Sequence, residues 1–334
     1  SSRTSFQGYS APPAGARGAA AGRAPAPASP RGSQGARSAG RRLAFAGGEI
    51  EVRQLDGDAF TGVDLAFFAA GGDVSRQYVP AAVAAGAIVI DKSSAFRGDP
   101  AVPLVVPEVN AADLDRHQGV IATPNCSTIQ MVVALKPIYD AAGIERVVVS
   151  TYQSVSGSGQ GGIAALDAQA RTWAAGGQVR QQFYPHQIAF NLLPHIDSFL
   201  PSGYTREEQK MVDETVKIFA DPALKVTATC VRVPVFGAHS EAVNVQTRRK
   251  LRADEARALL AAAPGVELVD DPASLAYPMP LHAEGKDPVF VGRVREDPTI
   301  ANGLDMWVVA DNLRKGAALN AVQIAEELVR RGLL

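Results

Sequence analysis

Cysteine is scarce in this sequence. The 334 residues include only Cys126 and Cys230, which cannot form a disulfide framework, so a reducing compartment is expected. No stretch approaches the run of about 18 apolar residues that a membrane helix requires, and the N-terminus lacks the apolar region of a secretory signal. A net charge of −1 gives no electrostatic reason to expect nucleic acid or an anionic membrane as a partner. These absences predict a soluble protein of the cytoplasm.

The beginning of the chain lacks several residue types that the rest contains. Residues 1–42 contain no Val, Ile, Leu, Met, Asp, Glu or Lys, so this stretch cannot form a buried strand or the apolar face of a helix. Its composition predicts that residues 1–36 are disordered. Three interpretations stay open at this point: a linker, a targeting peptide, or the altered remains of a unit that the protein needs.

From Leu43 onward, strand and helix patterns alternate in a chain long enough for two domains. The run at 43–55 predicts a hairpin, and the run at 74–85 predicts a helix. Continuous apolar runs predict buried parallel strands at 63–70, 87–94, 102–110 and 119–125. This alternation predicts a doubly wound α/β domain, in which ligands bind beyond the carboxyl ends of the strands.

The second half of the chain has a different pattern. Long β-branched runs predict strands at 145–155, 225–235, 241–247, 287–296 and 303–313. Few helices separate the later runs, so a mixed or antiparallel sheet is expected. The closing stretch, 317–334, has the apolar spacing of an amphipathic helix with basic residues in its last turns.

The stretch PNCST (124–128) carries the sharpest chemical feature. It follows a strand pattern and precedes a helix pattern, which places Cys126 where exposed N–H groups and the helix dipole favour an anion. A thiol at such a position is expected to have a lowered pKa and to react as a thiolate. The alternative is a small buried hydrophobic residue, and this is the reading for Cys230, which lies inside the apolar strand TATCVRV.

A nucleophilic cysteine needs a partner for proton transfer. Of the five histidines, His239 follows a strand and a glycine, and the pattern slightly favours it over His195, which could equally be structural. The remaining three, His117, His186 and His282, lie in polar loops. These three are expected at the surface.

Three arginines adjoin apolar strands: Arg97, Arg232 and Arg293. A guanidinium in such a place must pair with a carboxylate or a phosphate, and an internal salt bridge is at least as good an explanation for each. The stretch 151–166 adds a Gly/Ser-rich turn that opens onto a helix. Such a turn can bind phosphate or pack against a cofactor, but it can also be a flexible connector.

Taken together, these segments resemble the aspartate-β-semialdehyde dehydrogenase family from about Arg37 to Leu334. The resemblance rests on segments in the family's order: RSAG (37–40), AAGG (69–72), DKSSAFR (91–97), VPLVVPEVN (102–110), PNCST (124–128), YQSVSGSG (152–159), FNLLPHID (190–197), REEQK (206–210), RVPVFGAHSEAV (232–243) and DNLRKGAALNAVQIAE (311–326).

The resemblance implies reduction of L-aspartyl 4-phosphate by NADPH to L-aspartate 4-semialdehyde and phosphate. Cys126 would attack the acyl phosphate and hold a thioester, which hydride from the nicotinamide would release as the aldehyde. In this scheme His239 is the general acid/base and Gln153 orients the substrate. Arg232 would bind the α-carboxylate, and Glu207 would also bind the amino-acid end.

The family's remaining sites map onto this chain by motif. The phosphate would be bound by Arg97, Asn125 and Lys210. An electropositive pocket of this kind should also lower the pKa of the Cys126 thiol. NADP(H) would be contacted by Arg37, Ser38, Gly71, Gly72, Ser156, Gly157 and Asn312. Arg37 and Ser38 suit the 2′-phosphate of NADP, and no metal is implied.

The resemblance also implies a domain plan. Residues 37–125 and 314–334 would form the Rossmann-type NADP-binding domain, and residues 126–313 would form an α+β substrate and dimerisation domain. The partner would be a second copy of the chain, giving a homodimer. The family begins with a strand, a glycine-rich turn and a helix that bind pyrophosphate, and no such unit precedes Arg37.

A reading-frame change accounts for that gap. In a GC-rich gene, a Gly-Ala-Thr-Gly turn read one base late gives Ala-Pro-Pro-Ala, and APPA stands at 11–14. Our hypothesis is that residues 1–34 are out of frame and that the frame is restored just before Arg37. Two alternatives to the main interpretation remain: an N-acetyl-γ-glutamyl-phosphate reductase, or a dimeric protein whose catalysis is impaired because the phosphate turn is absent.

Overall fold

A computed structural model of the chain describes residues 32–34, 39–45, 47–56 and 58–334. The contacts within the chain divide it after Gln54 into two units, which are described separately. The predicted disordered segment, apart from 32–34, and the cofactor residues Arg37 and Ser38 lie outside the described residues.

The first unit contains a small mixed sheet. Its strands are β1 (Gly32–Gln34), β2 (Arg42–Phe45) and β3 (Gly48–Gln54), in the order β1-β3-β2. Strands β2 and β3 pair antiparallel, which confirms the hairpin predicted at 43–55. Strand β1 pairs parallel with β3, so the predicted disorder is wrong for residues 32–34.

The second unit begins with a three-stranded parallel sheet. Its strands are β4 (Leu65–Phe68), β5 (Ile88–Asp91) and β6 (Val120–Ala122), in the order β4-β5-β6, and helix α1 (Gly72–Ala84) connects the first two. Buried Val89 and Ile90 of β5 serve cores on opposite faces of this sheet. The parallel strands and their crossover helix confirm the doubly wound class.

One predicted strand is wrong. The run at 102–110 forms only an isolated bridge between Leu104 and Ala122 and then turns into the short helix α2 (Pro107–Asn110). Pro107 stands at the first position of that helix, where its fixed φ suits a helix start and the absent N–H costs nothing.

A second, larger sheet dominates the rest of the unit. Its six strands run in the order β10-β11-β12-β9-β7-β8 with mixed directions, which confirms the mixed sheet expected from the sequence. The elements from Cys126 onward are α3 (Cys126–Ala142), β7 (Ile144–Gln153), α4 (Gln160–Ala174), α5 (Arg206–Phe219), β8 (Lys225–Arg232), β9 (His239–Thr247), α6 (Ala253–Ala262), β10 (Val266–Leu268), α7 (Pro280–Ala283), β11 (Val289–Asp297), β12 (Gly303–Ala310) and α8 (Leu319–Arg331).

Helix α3 lies in the core against the inner face of this sheet. Eleven of its 17 residues are buried, so it is apolar on nearly all sides, as expected of a core helix. It ends at Gly143, whose φ of 63° suits the reversal into β7. Among the residues that the structure describes, no helix is both long and apolar enough to cross a membrane.

The strand register brings polar residues together at one end of the inner face. Gln153, the last residue of β7, pairs with Arg232, the last residue of β8. His239 begins the neighbouring β9 and pairs with Ala310 at the end of β12. Farther along the same face, Val147 and Val245 are buried in the apolar core. The candidate active site therefore lies at these strand ends and at the start of α3.

Candidate active site

Cys126 is the first residue of α3, as the sequence predicted. Asn125 caps this helix, because its Oδ1 accepts the N–H groups of Ser127 at 3.0 Å and Thr128 at 3.4 Å. Cys126 is partly exposed, although most of its surface is buried. A Cβ placed on Gly316 would lie 3.0 Å from the Cys126 Cβ, so the chain after β12 approaches the candidate nucleophile closely.

The predicted lowering of the Cys126 pKa is wrong for the protein without ligands. Burial raises the pKa of Cys126 to about 12, and the charge of Glu207 raises it further, against the opposing effects of Arg232 and Arg97. Arg97 is already paired with a carboxylate. The positive groups are therefore present, as expected, but they do not outweigh desolvation and Glu207.

His239 is fully buried, and its tautomer follows from its contacts. Its Nδ1 accepts the backbone N–H of Ser154 at 3.1 Å and lies 3.0 Å from the Ser154 hydroxyl. An amide N–H can only donate, so the proton of a neutral imidazole must be on Nε2. Burial, aided by Arg232, lowers the pKa of His239 to about 3, which keeps the ring neutral. Within the described part of the chain Nε2 has no hydrogen-bond partner.

Arg232 is buried at 6% exposure and donates from Nη1 to the Ser154 carbonyl at 2.6 Å. No carboxylate of the described residues forms a salt bridge with it, which excludes the internal ion pair considered for this residue. A Cβ on Gly157 would lie 2.9 Å from Arg232 Nη1 and 3.1 Å from His239 Nε2. The missing side chain at 157 therefore leaves space beside both groups.

Glu207 joins several site residues through its two carboxylate oxygens. Oε1 accepts hydrogen bonds from Asn125 Nδ2 at 2.8 Å and Gln153 Nε2 at 3.1 Å. Oε2 accepts one from Lys210 at 3.1 Å, and Lys210 also pairs with Asp197 at 2.8 Å. Burial alone would raise the pKa of Glu207, but Lys210 and the two amides lower it below its usual value. The carboxylate stays charged inside the site.

Arg97 lies in the loop after β5 and points toward α5. Its Nη1 donates to Glu214 Oε1 at 2.9 Å and its Nη2 to the Lys92 carbonyl at 3.0 Å, so the internal salt bridge considered for Arg97 exists. Its Nε is buried without a hydrogen-bond partner among the described residues. Burial lowers the pKa of Lys92, and the charge of Cys126 opposes this effect, so a second cation lies near the thiol.

A cluster of small polar groups lies behind His239. Asn312 Oδ1 accepts the hydroxyls of Ser156 at 3.1 Å and Ser154 at 3.2 Å. Gly157 follows in the short 3-10 turn Val155–Ser158, and α4 begins just beyond it. This arrangement matches the predicted Gly/Ser-rich turn that opens onto a helix.

The other predicted cofactor residues lie at the start of α1. Gly71 is the N-cap of α1, with a φ of 102°, and a Cβ there would meet no atom within 4 Å. Gly72 is the first residue of the helix. An N-terminus with open space and exposed N–H groups can hold an anion such as a phosphate.

The remaining sequence candidates have other roles. Arg293 is exposed and lies in a bulge of β11 with a φ of 54°, so the expected pairing of a buried guanidinium is wrong. His195 stacks on Phe199 with ring centroids 4.5 Å apart, in line with a structural role. His117 is half-buried rather than a surface residue, and its Nδ1 accepts the Gly119 N–H.

Sequence reasoning missed two residues that hold the site. Glu214 binds Arg97 and also accepts the Asn125 N–H at 2.6 Å. It lies seven residues after Glu207 on α5, and helical spacing could have revealed that both face inward. Ser154 binds His239 and Arg232, but a serine in a loop carries no pattern that identifies such contacts.

The parallel α/β sheet, the glycine-capped helix and a cysteine at a helix start near a buried arginine are typical of the nucleotide-dependent, cysteine-based class of dehydrogenases. Two family models match the chain: the NAD binding domain of semialdehyde dehydrogenases at residues 29–117, and their dimerisation domain at residues 135–315. The chain belongs to the aspartate-semialdehyde dehydrogenase family, as its close relatives establish.

Three relatives illustrate this similarity. Aspartate-semialdehyde dehydrogenase from Aquifex aeolicus is 56% identical over 302 residues, which cover 89% of this chain and 89% of that protein. The Bacillus subtilis enzyme of the same name is 50% identical over 306 residues, covering 89% and 88%. The crystal structure of aspartate semialdehyde dehydrogenase II from Vibrio cholerae complexed with ASA has a TM-score of 0.85 at 49% identity, covering 89% of each chain. The family and fold class predicted from the sequence are confirmed.

Proposed function

We propose that this chain catalyses the NADPH-dependent reductive dephosphorylation of L-aspartyl 4-phosphate to L-aspartate 4-semialdehyde. This reaction would be a step in the biosynthesis of the amino acids derived from aspartate, which are lysine with its precursor diaminopimelate, threonine, methionine and isoleucine. The observation that carries the proposal is the position of Cys126 at a helix N-terminus, within the electrostatic reach of Arg97, Arg232 and Glu207. Relatives that share about half of its residues bear the name of this activity.

The two ends of the substrate have complementary groups in the site. Arg232, a buried cation with no carboxylate partner among the described residues, suits the α-carboxylate. Glu207, a buried anion, suits the ammonium group, and Gln153 beside it orients the substrate. Arg97, Asn125 and Lys210 would bind the phosphate, with the unpartnered Arg97 Nε as a ready donor.

In this mechanism the Sγ of Cys126 attacks the acyl carbon, the acyl–oxygen bond to phosphate breaks, and a thioester forms on Cys126, while the thiol proton leaves with the phosphate. Arg97 and Lys210 stabilise the departing phosphate because its negative charge grows as the bond breaks. His239 is arranged as a hydrogen-bond donor: its neutral ring carries the proton on Nε2, which has no partner among the described residues. That N–H can stabilise the oxyanion that forms on the acyl group by donating a hydrogen bond to it.

The cofactor of this proposal is NADP(H), which supplies the hydride when bound. The open space at Gly157 and the polar groups of Ser156 and Asn312 beside it fit a nicotinamide end. Gly71 and Gly72 fit a phosphate at the start of α1. Arg37 and Ser38 remain the proposed contacts for the 2′-phosphate.

The proposed assembly is a homodimer formed through the outer face of the six-stranded sheet. That face carries a cleft of about 640 Å³ lined by half-buried residues such as Ser150, Asn244 and Trp307, while helices cover the inner face. We assign residues 37–125 and 314–334 to the NADP-binding domain and 126–313 to the substrate domain. The core that joins Ile324 and Leu328 of α8 to Ile90 and Ile121 supports this assignment.

For residues 1–36 we keep the proposal of an atypical segment whose first part is out of frame. Residues 1–28 lie outside both family matches, the first of which begins at residue 29 and so includes the last residues of this segment. Sequencing the gene and its transcript tests the proposal, because a continuous frame matched in the transcript would contradict it. We further propose that the enzyme works in the cytoplasm.

Phosphate-dependent reduction of NADP⁺ by the purified chain with aspartate semialdehyde tests the function. Activity that is lost in Cys126→Ala and kept in Cys230→Ala supports the proposal, since Cys230 is buried in the core. Activity that survives in Cys126→Ala contradicts the mechanism. Preference for N-acetylglutamate semialdehyde would favour the alternative reductase, and no NADPH binding by fluorescence would favour the impaired protein.

A further inference from the structure

One face of α5 carries a row of alternating charges. Glu207, Lys210, Glu214 and Lys217 follow at intervals of three and four residues, which places them on one side of a helix. The first two contact the residues proposed for the substrate. The last two have no role in the proposed chemistry, although Glu214 is only 4% exposed. The side chains of both residues form hydrogen bonds to the chain segments around the proposed phosphate site.

Glu214 binds two different segments of the site at once. Oε1 accepts the Nη1–H of Arg97 at 2.9 Å, and Oε2 accepts the backbone N–H of Asn125 at 2.6 Å. Asn125 in turn caps α3 immediately before Cys126. A single buried carboxylate therefore fixes both the proposed phosphate cation and the residue preceding the nucleophile.

Lys217 holds the loop that carries Arg97. Its Nζ donates to the carbonyl oxygens of Arg97 at 2.8 Å, Asp99 at 2.6 Å and Val102 at 2.8 Å. The Arg97 Nη2 is tied to the Lys92 carbonyl. The backbone of Arg97 and two nitrogens of its guanidinium are therefore fixed by hydrogen bonds, which leave the side chain one orientation. In this orientation the Arg97 Nε has no hydrogen-bond partner among the described residues.

We propose that Glu214 is a positioning residue of the reaction, which orients Arg97 toward phosphate and holds it in register with the start of α3. This inference rests on the proposed function, because it assigns Arg97 to the phosphate. Glu214 itself does not touch the substrate. It acts by restricting the guanidinium to one orientation, so that the cost of ordering it is met before phosphate binds.

A plain electrostatic role would have the opposite effect on phosphate. If Glu214 only neutralised Arg97, its removal would make the pocket more positive and tighten phosphate binding. If Glu214 orients Arg97, its removal weakens phosphate binding although a negative charge has been lost. The direction of the change separates the two roles, and a general loss of stability would not single out phosphate.

The test is Glu214→Gln, assayed for NADP⁺ reduction with phosphate and aspartate semialdehyde varied in turn. The amide has the shape of the carboxylate, but it can accept through only one of its two terminal atoms. We expect the KM for phosphate to rise about tenfold or more, the size of a lost charge-assisted contact, with the KM for the semialdehyde within about twofold. Asp213→Asn is the matched control, since this exposed carboxylate on α5 contacts Gln209 and should change neither constant.

A second variant covers the case in which the first does not fold, and a second measurement covers the case in which the wild type is inactive. Glu214→Asp keeps the charge but is too short to reach both partners, so the same rise is expected if the first variant does not fold. A lower phosphate KM in Glu214→Gln, or an equal rise for both substrates, overturns the inference. Protection of Cys126 from iodoacetamide by inorganic phosphate measures binding without turnover. Weaker protection in Glu214→Gln than in the wild type would support the inference even if the wild-type chain shows no activity.

Discussion

At the scale of single residues, the ionisation of Cys126 depends on opposing neighbours. Burial and Glu207 favour the thiol, whereas Arg232 and Arg97 favour the thiolate. With a pKa of about 12, the thiolate fraction of the ligand-free protein is small near neutral pH. In the proposed mechanism the substrate would therefore meet a thiol, and loss of the thiol proton would be part of the reaction.

This balance predicts how Cys126 reacts with iodoacetamide in a Cys230→Ala background. The alkylation rate should rise about tenfold for each pH unit, without a plateau, because the thiolate fraction is far from saturation. Glu207→Gln should raise the rate at a given pH, since it removes a charge that opposes the thiolate. A rate that levels off near neutral pH would show that the pKa is not raised, and loss of labelling in Cys126→Ala is the control for the site.

His239 gives a prediction about stability. The folded pKa of about 3 lies below the ordinary value, so the unfolded chain binds this proton more readily. The stability that this group contributes is present above about pH 6.5 and is lost as the pH falls toward the folded pKa. Each pH unit in that range costs up to about 1.4 kcal/mol.

Urea unfolding of wild type and His239→Asn between about pH 7 and about pH 5 checks this sign. Carboxylates add their own pH dependence to both proteins, so the difference between the two curves isolates the imidazole. We expect the variant to lose less stability on acidification. Parallel curves would mean that His239 is not held neutral in the folded protein.

At the scale of elements, α5 must begin at the right residue to present Glu207, Lys210 and Glu214. A capping box fixes its start: Thr205 Oγ1 accepts the Glu208 N–H at 3.3 Å, and Glu208 Oε2 accepts the Thr205 N–H at 2.7 Å. The same Glu208 also accepts the Cys230 N–H of β8 at 3.0 Å, which joins the helix to the sheet.

Thr205→Ala should therefore lower the free energy of unfolding by about 1 kcal/mol, the usual cost of a lost N-cap. The measurement is the shift in the urea midpoint. Thr205→Ser keeps the hydroxyl and serves as the control, which should stay close to wild type. Equal losses in both variants would assign the effect to the methyl group instead of the cap.

The element after β12 is held by a buried lysine. Lys315, at 1% exposure, donates to Glu108 at 2.6 Å, Gln323 at 2.7 Å and Asn320 at 3.1 Å. It belongs to the π-helical turn Arg314–Ala318, which also contains the glycine that approaches Cys126. All three ammonium hydrogens can be used, as a buried charge requires.

Lys315→Met should destabilise the protein by about 3–5 kcal/mol, because it leaves the Glu108 carboxylate buried without its cation. Adding Glu108→Gln should recover part of that loss, since the uncompensated charge is then gone. Thermal melting of the two variants provides the comparison. If the double variant is less stable than Lys315→Met alone, the uncompensated charge is not the main cause of the lost stability.

The sequence could predict the elements whose local pattern decides their structure. Strand β7 and helix α8 follow from their periodicity, and Cys126 follows from the junction of two patterns. The run at 102–110 shows the limit, because its apolar composition looks like a strand. Its conformation is instead decided by Pro107 and by burial against neighbouring elements.

The candidate site shows the same limit at longer range. Arg97 and Arg293 both adjoin apolar strands, but within the described part of the chain only the guanidinium of Arg97 pairs with a carboxylate, which comes from a residue 117 positions away. The raised pKa of Cys126 likewise depends on burial and on Glu207. Side chains from distant segments decide both outcomes, and no local pattern contains them.

At the scale of the whole molecule, the outer face of the six-stranded sheet is the proposed dimer surface. Helices pack on the inner face, and the outer face presents half-buried residues around the ring pair Tyr152 and Trp307, whose centroids are 5.3 Å apart. Ala242 lies on β9 between these strands and lines the cleft. A surface of this kind excludes water best when a second copy covers it.

Ala242→Arg should convert the dimer to a monomer, because it places an unpaired charge in the middle of the proposed interface. Light scattering after gel filtration measures the mass directly. Ala258→Arg is the matched control: Ala258 is exposed on α6, which packs on the helical side of the sheet, and this variant should remain dimeric. If Ala242→Arg keeps its mass and its melting temperature, the outer face is not the interface. If both variants become monomeric, added charge alone causes dissociation and the assignment fails.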